Sequence, residues 1–75
     1  MIIVYGDSVN CLTCAILKVV LKDSRLPFRF YEMSKDYLIE EVKEIYPNFS
    51  EVPFIIKDGK EISLVELEKE VYGKS

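Results

Sequence analysis

The hydrophobic positions along the chain follow two different periods, which predicts strands and helices in alternation. Short runs of β-branched and aromatic residues are typical of buried strands, and apolar residues that recur every third or fourth position are typical of helices. The predicted strands cover residues 2–5, 28–33 and 54–56, followed by a short fourth strand that ends at Ile62. The predicted helices cover residues 11–22, 35–46 and 64–71.

Local signals mark the starts of these helices and one tight turn. Asn10 and Ser34 are residue types that favour the N-cap, and they precede the first and second helices. Ser63, followed three positions later by Glu66, forms a capping-box pattern before the third helix. Asp58-Gly59 is typical of a two-residue hairpin turn.

In the first helix, the apolar residues at the recurring positions are predicted to form the buried face: Leu12, Ala15, Ile16, Val19 and Val20, with Leu17 and Leu21 widening it.

The order β-α-β-α-β-β-α predicts one α/β domain over residues 1–75. The first two strands, joined through a helix, are expected to pair in parallel by a right-handed crossover. The hairpin adds antiparallel strands. We therefore expect a four-stranded mixed sheet with helices on both faces.

Composition and charge exclude several classes of protein. Hydrophobic residues make up 49% of the 75 residues, which argues against disorder. No apolar run approaches the ~20 residues of a membrane span, so no membrane partner is expected. The net charge is −3 and the basic residues are scattered, so no nucleic-acid partner is expected. The first residues lack the pattern of a signal peptide, which predicts a cytoplasmic protein, where structural disulfides are uncommon.

Cys11 and Cys14 carry the candidate chemistry. Cysteines three positions apart at a helix start lie on one face, within reach of a disulfide bond. The N-terminal N–H groups of the helix favour a thiolate on Cys11, whereas Cys14 lies one turn deeper. One thiol can then attack a disulfide and the other resolve the mixed disulfide. Two alternatives stay open: a pair of inert core cysteines, and half of a zinc site completed by a second subunit, because the chain alone lacks further cysteine or histidine ligands.

The chain resembles the glutaredoxin family over essentially its whole length. The matching positions are Cys11, Cys14, Lys18, Val52-Pro53, Asp58-Gly59 and Ile62, in the family's order and at fitting separations. The resemblance implies a thioredoxin-like (glutaredoxin) fold. It also implies that Pro53 is a cis-proline lying against the cysteine pair.

The resemblance further implies a thiol–disulfide oxidoreductase that reduces protein or glutathione mixed disulfides through Cys11 and Cys14. It implies glutathione as the reductant, no bound cofactor or metal, and a monomer. Disulfide-containing proteins are the implied substrates, with ribonucleotide reductase, and so electron donation in deoxyribonucleotide synthesis, as one example. The implied substrate and glutathione contacts are Thr13, Val52, Pro53, Ser63 and Leu64.

The sequence departs from the family at three places around the implied glutathione groove. Leu12-Thr13 stands where the family has Pro-Tyr, residues 7–10 contain no lysine or arginine, and Ser63-Leu64 replaces Gly-Gly. These departures predict weak glutathione handling, because the bulk of Leu64 obstructs close approach to the backbone. They leave two other functions open: a redoxin recharged by a thioredoxin-type reductase, and a non-enzymatic thioredoxin-fold binding module.

Overall fold

The computed structural model describes residues 1–73 and has four strands and three helices within them. In chain order they are β1 (Ile2–Gly6), α1 (Leu12–Ser24), β2 (Phe28–Glu32), α2 (Ile39–Ile45), β3 (Phe54–Lys57), β4 (Lys60–Ile62) and α3 (Leu64–Tyr72). Among residues 1–73, no helix is both long enough and apolar enough to cross a bilayer.

The four strands form one mixed sheet in the order β2-β1-β3-β4. β1 pairs in parallel with β2 and antiparallel with β3, and β4 pairs antiparallel with β3. Asp58 and Gly59 join β3 to β4 with φ angles of 51° and 83°, the positive values that a tight hairpin turn requires. The predicted mixed sheet and its hairpin are therefore confirmed.

Helices cover both faces of this sheet, as predicted. On one face α1 and α3 pack over β1 and β3, through Ile2, Val4, Leu17, Leu21, Ile55 and Leu67. On the other face α2 and its flanking loops pack through Tyr37, Val42, Phe49, Phe54 and Ile56. Strand side chains alternate between the two faces, so each strand of the centre contributes to both clusters. The sheet is thus buried between two apolar layers.

The first helix differs from its predicted form at its start and on its buried face. Cys11, and not Asn10, is the N-cap, and its sulfur accepts a hydrogen bond from the Cys14 N–H. The buried side chains are Cys14, Leu17 and Leu21. The predicted face was wrong in part: Leu17 and Leu21 are buried as predicted, whereas Leu12, Ile16 and Val19 are exposed. This helix carries apolar residues around much of its circumference, so periodicity alone does not select the face that packs.

The second helix is shorter than predicted. Ser34 does not cap it, since Ser34 lies in a turn with a φ of 64° and donates its N–H to the Tyr37 carbonyl at 2.8 Å. The N-cap is Leu38, whose N–H donates to the Glu41 side chain at 3.0 Å. In α3 the predicted cap is confirmed: the Ser63 hydroxyl accepts from the Glu66 N–H at 3.1 Å.

Gly6, at the end of β1, sits where α1 comes closest to the sheet. A Cβ atom at this position would lie 2.7 Å from Cζ of Phe30 and 3.2 Å from Sγ of Cys14. The first distance is shorter than real Cβ contacts, so a side chain here must displace a neighbour. Gly6 therefore lets the Cys14 side chain rest directly on the sheet.

We predict that Gly6→Ala lowers the free energy of unfolding by about 1–3 kcal/mol, the usual cost of overpacking a core. Urea unfolding of both proteins measures this change. The same substitution should also raise the alkylation rate of Cys14 in the native state, because the ring of Phe30 and the Cys14 side chain are pushed apart. Gly59→Ala is the matched control.

At Gly59 nothing lies within 4 Å of an added Cβ, but φ is positive. Gly59→Ala should destabilise the fold through backbone strain while leaving Cys14 alkylation unchanged. If Cys14 is alkylated at the same rate in both variants, the contact at Gly6 does not control how deeply Cys14 is buried.

Candidate active site

A hydrogen-bonded turn carries the chain from β1 to the cysteine pair. The Asp7 carboxylate accepts from the backbone N–H groups of Val9 and Asn10, both at 3.2 Å. The Asp7 carbonyl accepts from the Cys11 N–H at 2.8 Å. These bonds within the turn fix the position of Cys11 at the start of α1.

Cys11 and Cys14 are free thiols that lie side by side. Their Sγ atoms are 2.6 Å apart, and the Cys14 N–H donates to the Cys11 sulfur at 3.2 Å. Since a disulfide bond is about 2.05 Å long, a small displacement of either side chain brings the sulfurs to bonding distance. The pair is therefore placed to form a disulfide bond across the first turn of α1.

The two thiols differ in exposure, and the buried one has a raised pKa. Cys14 is 0% exposed, whereas Cys11 is partly accessible. Burial raises the pKa of the Cys14 thiol to about 12, and its hydrogen bond to Cys11 adds to that effect. Because the thiolate is the reactive form, Cys14 is protected both by burial and by protonation. Cys11 is the thiol that an incoming disulfide can meet.

Pro53 directly precedes β3, at the end of the sheet where β1 leads into the turn before the cysteine pair. Tyr5 pairs with Phe54 across the antiparallel β1 and β3, so Gly6 and Pro53 follow this pair at the same end of the two strands. Gly6 is the residue on which the Cys14 side chain rests. The Val52–Pro53 peptide bond is cis, in agreement with the expectation from the resemblance.

Four of the predicted contact residues line one cleft of about 350 Å³: Val52, Pro53, Ser63 and Leu64. The segment before β3 forms one wall, and the junction between β4 and α3 forms the other. Thr13 does not line this cleft. It is exposed on the first turn of α1 and lines a separate groove between α1 and α3, which it shares with Leu64. Leu64 thus stands between the cleft and the helix that carries the cysteines.

Glu32 links β2, the turn before Cys11 and α1 through hydrogen bonds, and it was not among the predicted site residues. Its carboxylate accepts from the Ser8 N–H at 2.9 Å, from the Ser8 hydroxyl at 2.5 Å and from Lys18 Nζ at 2.9 Å. These bonds join the end of β2 to the turn before Cys11 and to α1. The bonds from Ser8 and Lys18 lower the pKa of Glu32 to about 2. Gly6 pairs with Glu32 at the carboxyl ends of two parallel strands. Functional side chains gather at such ends, so the position of Glu32 at the end of a predicted parallel strand could have indicated a role at the site.

Tyr37 is a second residue near the cysteine pair that was not among the predicted site residues. Its hydroxyl donates to the Gly6 carbonyl at 3.3 Å from the opposite face of the sheet. Burial raises the pKa of Tyr37 to about 12, so the hydroxyl stays protonated and remains a donor. Tyr37 therefore supports the strand end on which Cys14 rests.

Comparisons with known proteins do not identify the chain, because no family model, curated protein or solved structure matches it. Within residues 1–73, no three or more side chains of the metal-ligating acidic, cysteine and histidine types come together as a metal site. The geometry of the cysteine pair is therefore the evidence from which a function can be inferred.

We predict that iodoacetamide at neutral pH alkylates Cys11 about tenfold or more faster than Cys14, because only Cys11 is accessible. The labelling rate of Cys14 should rise with pH up to about 12, since its pKa is raised to about that value. Peptide mass spectrometry of partly labelled native protein measures both rates. The single variants Cys11→Ser and Cys14→Ser give each rate separately, and equal rates at neutral pH contradict the assignment.

We predict that Glu32→Gln lowers the free energy of unfolding at neutral pH and that this difference shrinks in acid. The folded pKa of Glu32 is about 2, below its ordinary value of 4.5. Its stabilising contribution is therefore present above pH 4.5 and is lost as the pH falls towards 2. Urea unfolding at a series of pH values measures the difference. Glu44→Gln, on the exposed surface of α2, is the control; a pH-independent difference for Glu32→Gln would contradict the linkage.

Proposed function

We propose that this protein is a glutaredoxin-like thiol–disulfide oxidoreductase with a thioredoxin-like fold. The observation that carries the proposal is the asymmetric pair: an accessible Cys11 and a fully buried Cys14, with their sulfur atoms 2.6 Å apart. Inert core cysteines would both be buried, whereas Cys11 is partly accessible at the start of α1. The four-stranded mixed sheet with helices on both faces is compatible with this fold.

In the proposed reaction Cys11 acts first. Its thiolate attacks one sulfur of a substrate disulfide, the substrate S–S bond breaks, and the first substrate thiolate leaves and takes up a proton. Cys11 is now joined to the second substrate sulfur in a mixed disulfide. The substrate has not yet been fully reduced, because that sulfur is still bonded to the protein.

Cys14 then resolves the mixed disulfide. It loses its proton and attacks Sγ of Cys11, which forms the Cys11–Cys14 disulfide and releases the second substrate thiolate, which is protonated in turn. Two electrons have passed from the protein to the substrate. Burial keeps Cys14 protonated until Cys11 carries a bound substrate, so its own attack on solvent disulfides is suppressed.

The cycle closes when two thiols of a reductant reduce the Cys11–Cys14 disulfide and become oxidised themselves. In this proposal the reductant is glutathione and no cofactor is bound. The substrates are proteins that contain a disulfide, and ribonucleotide reductase is the first such protein to test.

The test offers the oxidised protein either reduced glutathione or a thioredoxin reductase with NADPH, and follows the return of free thiols. Recovery with glutathione supports the proposal, whereas recovery only with the reductase assigns a different reductant. The reduced protein is then mixed with a disulfide-linked peptide. We expect the wild type to complete reduction, Cys14→Ser to accumulate the mixed disulfide, and Cys11→Ser to do neither. A Cys11→Ser protein that still reduces the peptide overturns the proposal.

A further inference from the structure

The cleft lined by Val52, Pro53, Ser63 and Leu64 is acidic, and through Leu64 it adjoins the groove that Thr13 lines on α1. Its lining includes Glu51 and Glu61, both exposed side chains, and none of its eleven lining residues is a lysine or an arginine. One carboxylate stands on each wall, since Glu51 precedes Pro53 and Glu61 belongs to β4. A cleft with charge of one sign raises the local concentration of ligands of the opposite sign.

Two features that could attract an anion already have partners within the chain. At the start of α3, where N–H groups favour a bound anion, the Ser63 hydroxyl accepts from the Glu66 N–H and donates to the Glu66 carboxylate at 3.3 Å. Lys18, the first basic side chain in the sequence, is paired with Glu32 at 2.9 Å. A ligand carboxylate entering the cleft would therefore meet two like charges and no unpaired cation among the residues that line it.

Two large apolar side chains close to Cys11 in the chain are exposed. Val9 and Leu12, on either side of Cys11 and Asn10 in the chain, are 87% and 76% exposed. Large apolar side chains exposed around a reactive group are typical of a surface that contacts a protein. Glutathione has few apolar atoms to cover them, whereas a polypeptide segment has many.

We propose that this cleft selects disulfides in protein segments that carry lysine or arginine beside the bonded cysteine, over glutathione mixed disulfides. The inference rests on the proposed function, and it names the substrate class of the same site. Glutathione carries two carboxylates and one ammonium group, so its net charge is about −1 at neutral pH. Glu51 and Glu61 repel it and attract a basic segment. Complementary charge acts mainly on the rate of encounter, so the preference lies in the first attack by Cys11.

The experiment measures that first attack with three probes. Two peptides of equal length carry one cysteine as a mixed disulfide with 2-thiopyridine, flanked by lysines in one and by glutamates in the other. The third probe is the same derivative of glutathione. Reduced full-length protein is mixed with each probe, and the release of the thiopyridone is followed. Each rate is divided by the rate of the same probe with a neutral dithiol, which removes differences in intrinsic reactivity.

We expect the lysine peptide to react about tenfold faster than the other two probes at low ionic strength, with the gap closing as salt screens the charges. The double substitution Glu51→Gln/Glu61→Gln should reduce this difference in rate between the lysine peptide and the other probes. The matched control Glu40→Gln/Glu44→Gln changes two exposed carboxylates on α2 that do not line the cleft, and should preserve it. Thermal melts check that both double variants remain folded.

The outcomes separate this inference from the function on which it rests. If all three probes react at equal normalised rates, or if Glu51→Gln/Glu61→Gln leaves the gap unchanged, the proposed selectivity is wrong while the oxidoreductase function stands. If no probe reacts faster with the wild type than with Cys11→Ser, the function itself is wrong. The salt dependence tests the selectivity even if the cleft variant does not fold.

Discussion

The contact between the Cys14 side chain and Gly6 determines where the first helix lies against the sheet. Because Gly6 has no side chain, Cys14 can rest on the strand and become fully buried. Cys11 precedes it by one helical turn and therefore stands at the N-cap, near the surface. The difference between an accessible and a protected thiol thus arises from the depth at which a single residue packs, and no separate acid or base is needed to create it.

Hydrogen bonds from three directions hold this contact in place. Tyr37 donates to the Gly6 carbonyl from the opposite face of the sheet, and Glu32 binds both Ser8 and Lys18. The strand end, the turn and the helix are therefore linked to one another as well as to the core. Polar groups that are paired in this way favour one arrangement over its alternatives, since a shift would leave a donor or acceptor unpaired. These bonds consequently hold the turn before Cys11 and the start of α1 in one position against the sheet.

Much of the fold was predictable because it depends on signals within short stretches of the chain. The strand periods, the hairpin at Asp58-Gly59 and the cap at Ser63 each involve residues close in sequence. The N-cap of α1 was not predictable in this way. Asn10 is the better cap by residue type, but the Cys11 N–H is held by the Asp7 carbonyl, and the helix begins one residue later. The buried face of α1 and the role of Glu32 likewise depend on contacts between distant segments, which a periodic pattern does not contain.

At the junction between β4 and α3, the pair Ser63 and Glu66 stabilises the helix and also places a negative charge next to the cleft. The Ser63 hydroxyl accepts from the Glu66 N–H and donates to the Glu66 carboxylate, so one N–H of the first turn of α3 is capped and a negative charge lies there, a favourable arrangement for a helix N-terminus. The same carboxylate takes the position at which a helix would otherwise attract an anionic ligand. Leu64, the next residue, contributes its side chain to the cleft wall and to the groove along α1. The start of α3 therefore already carries a negative charge, and the charged residues that line the cleft beside it are Glu51 and Glu61.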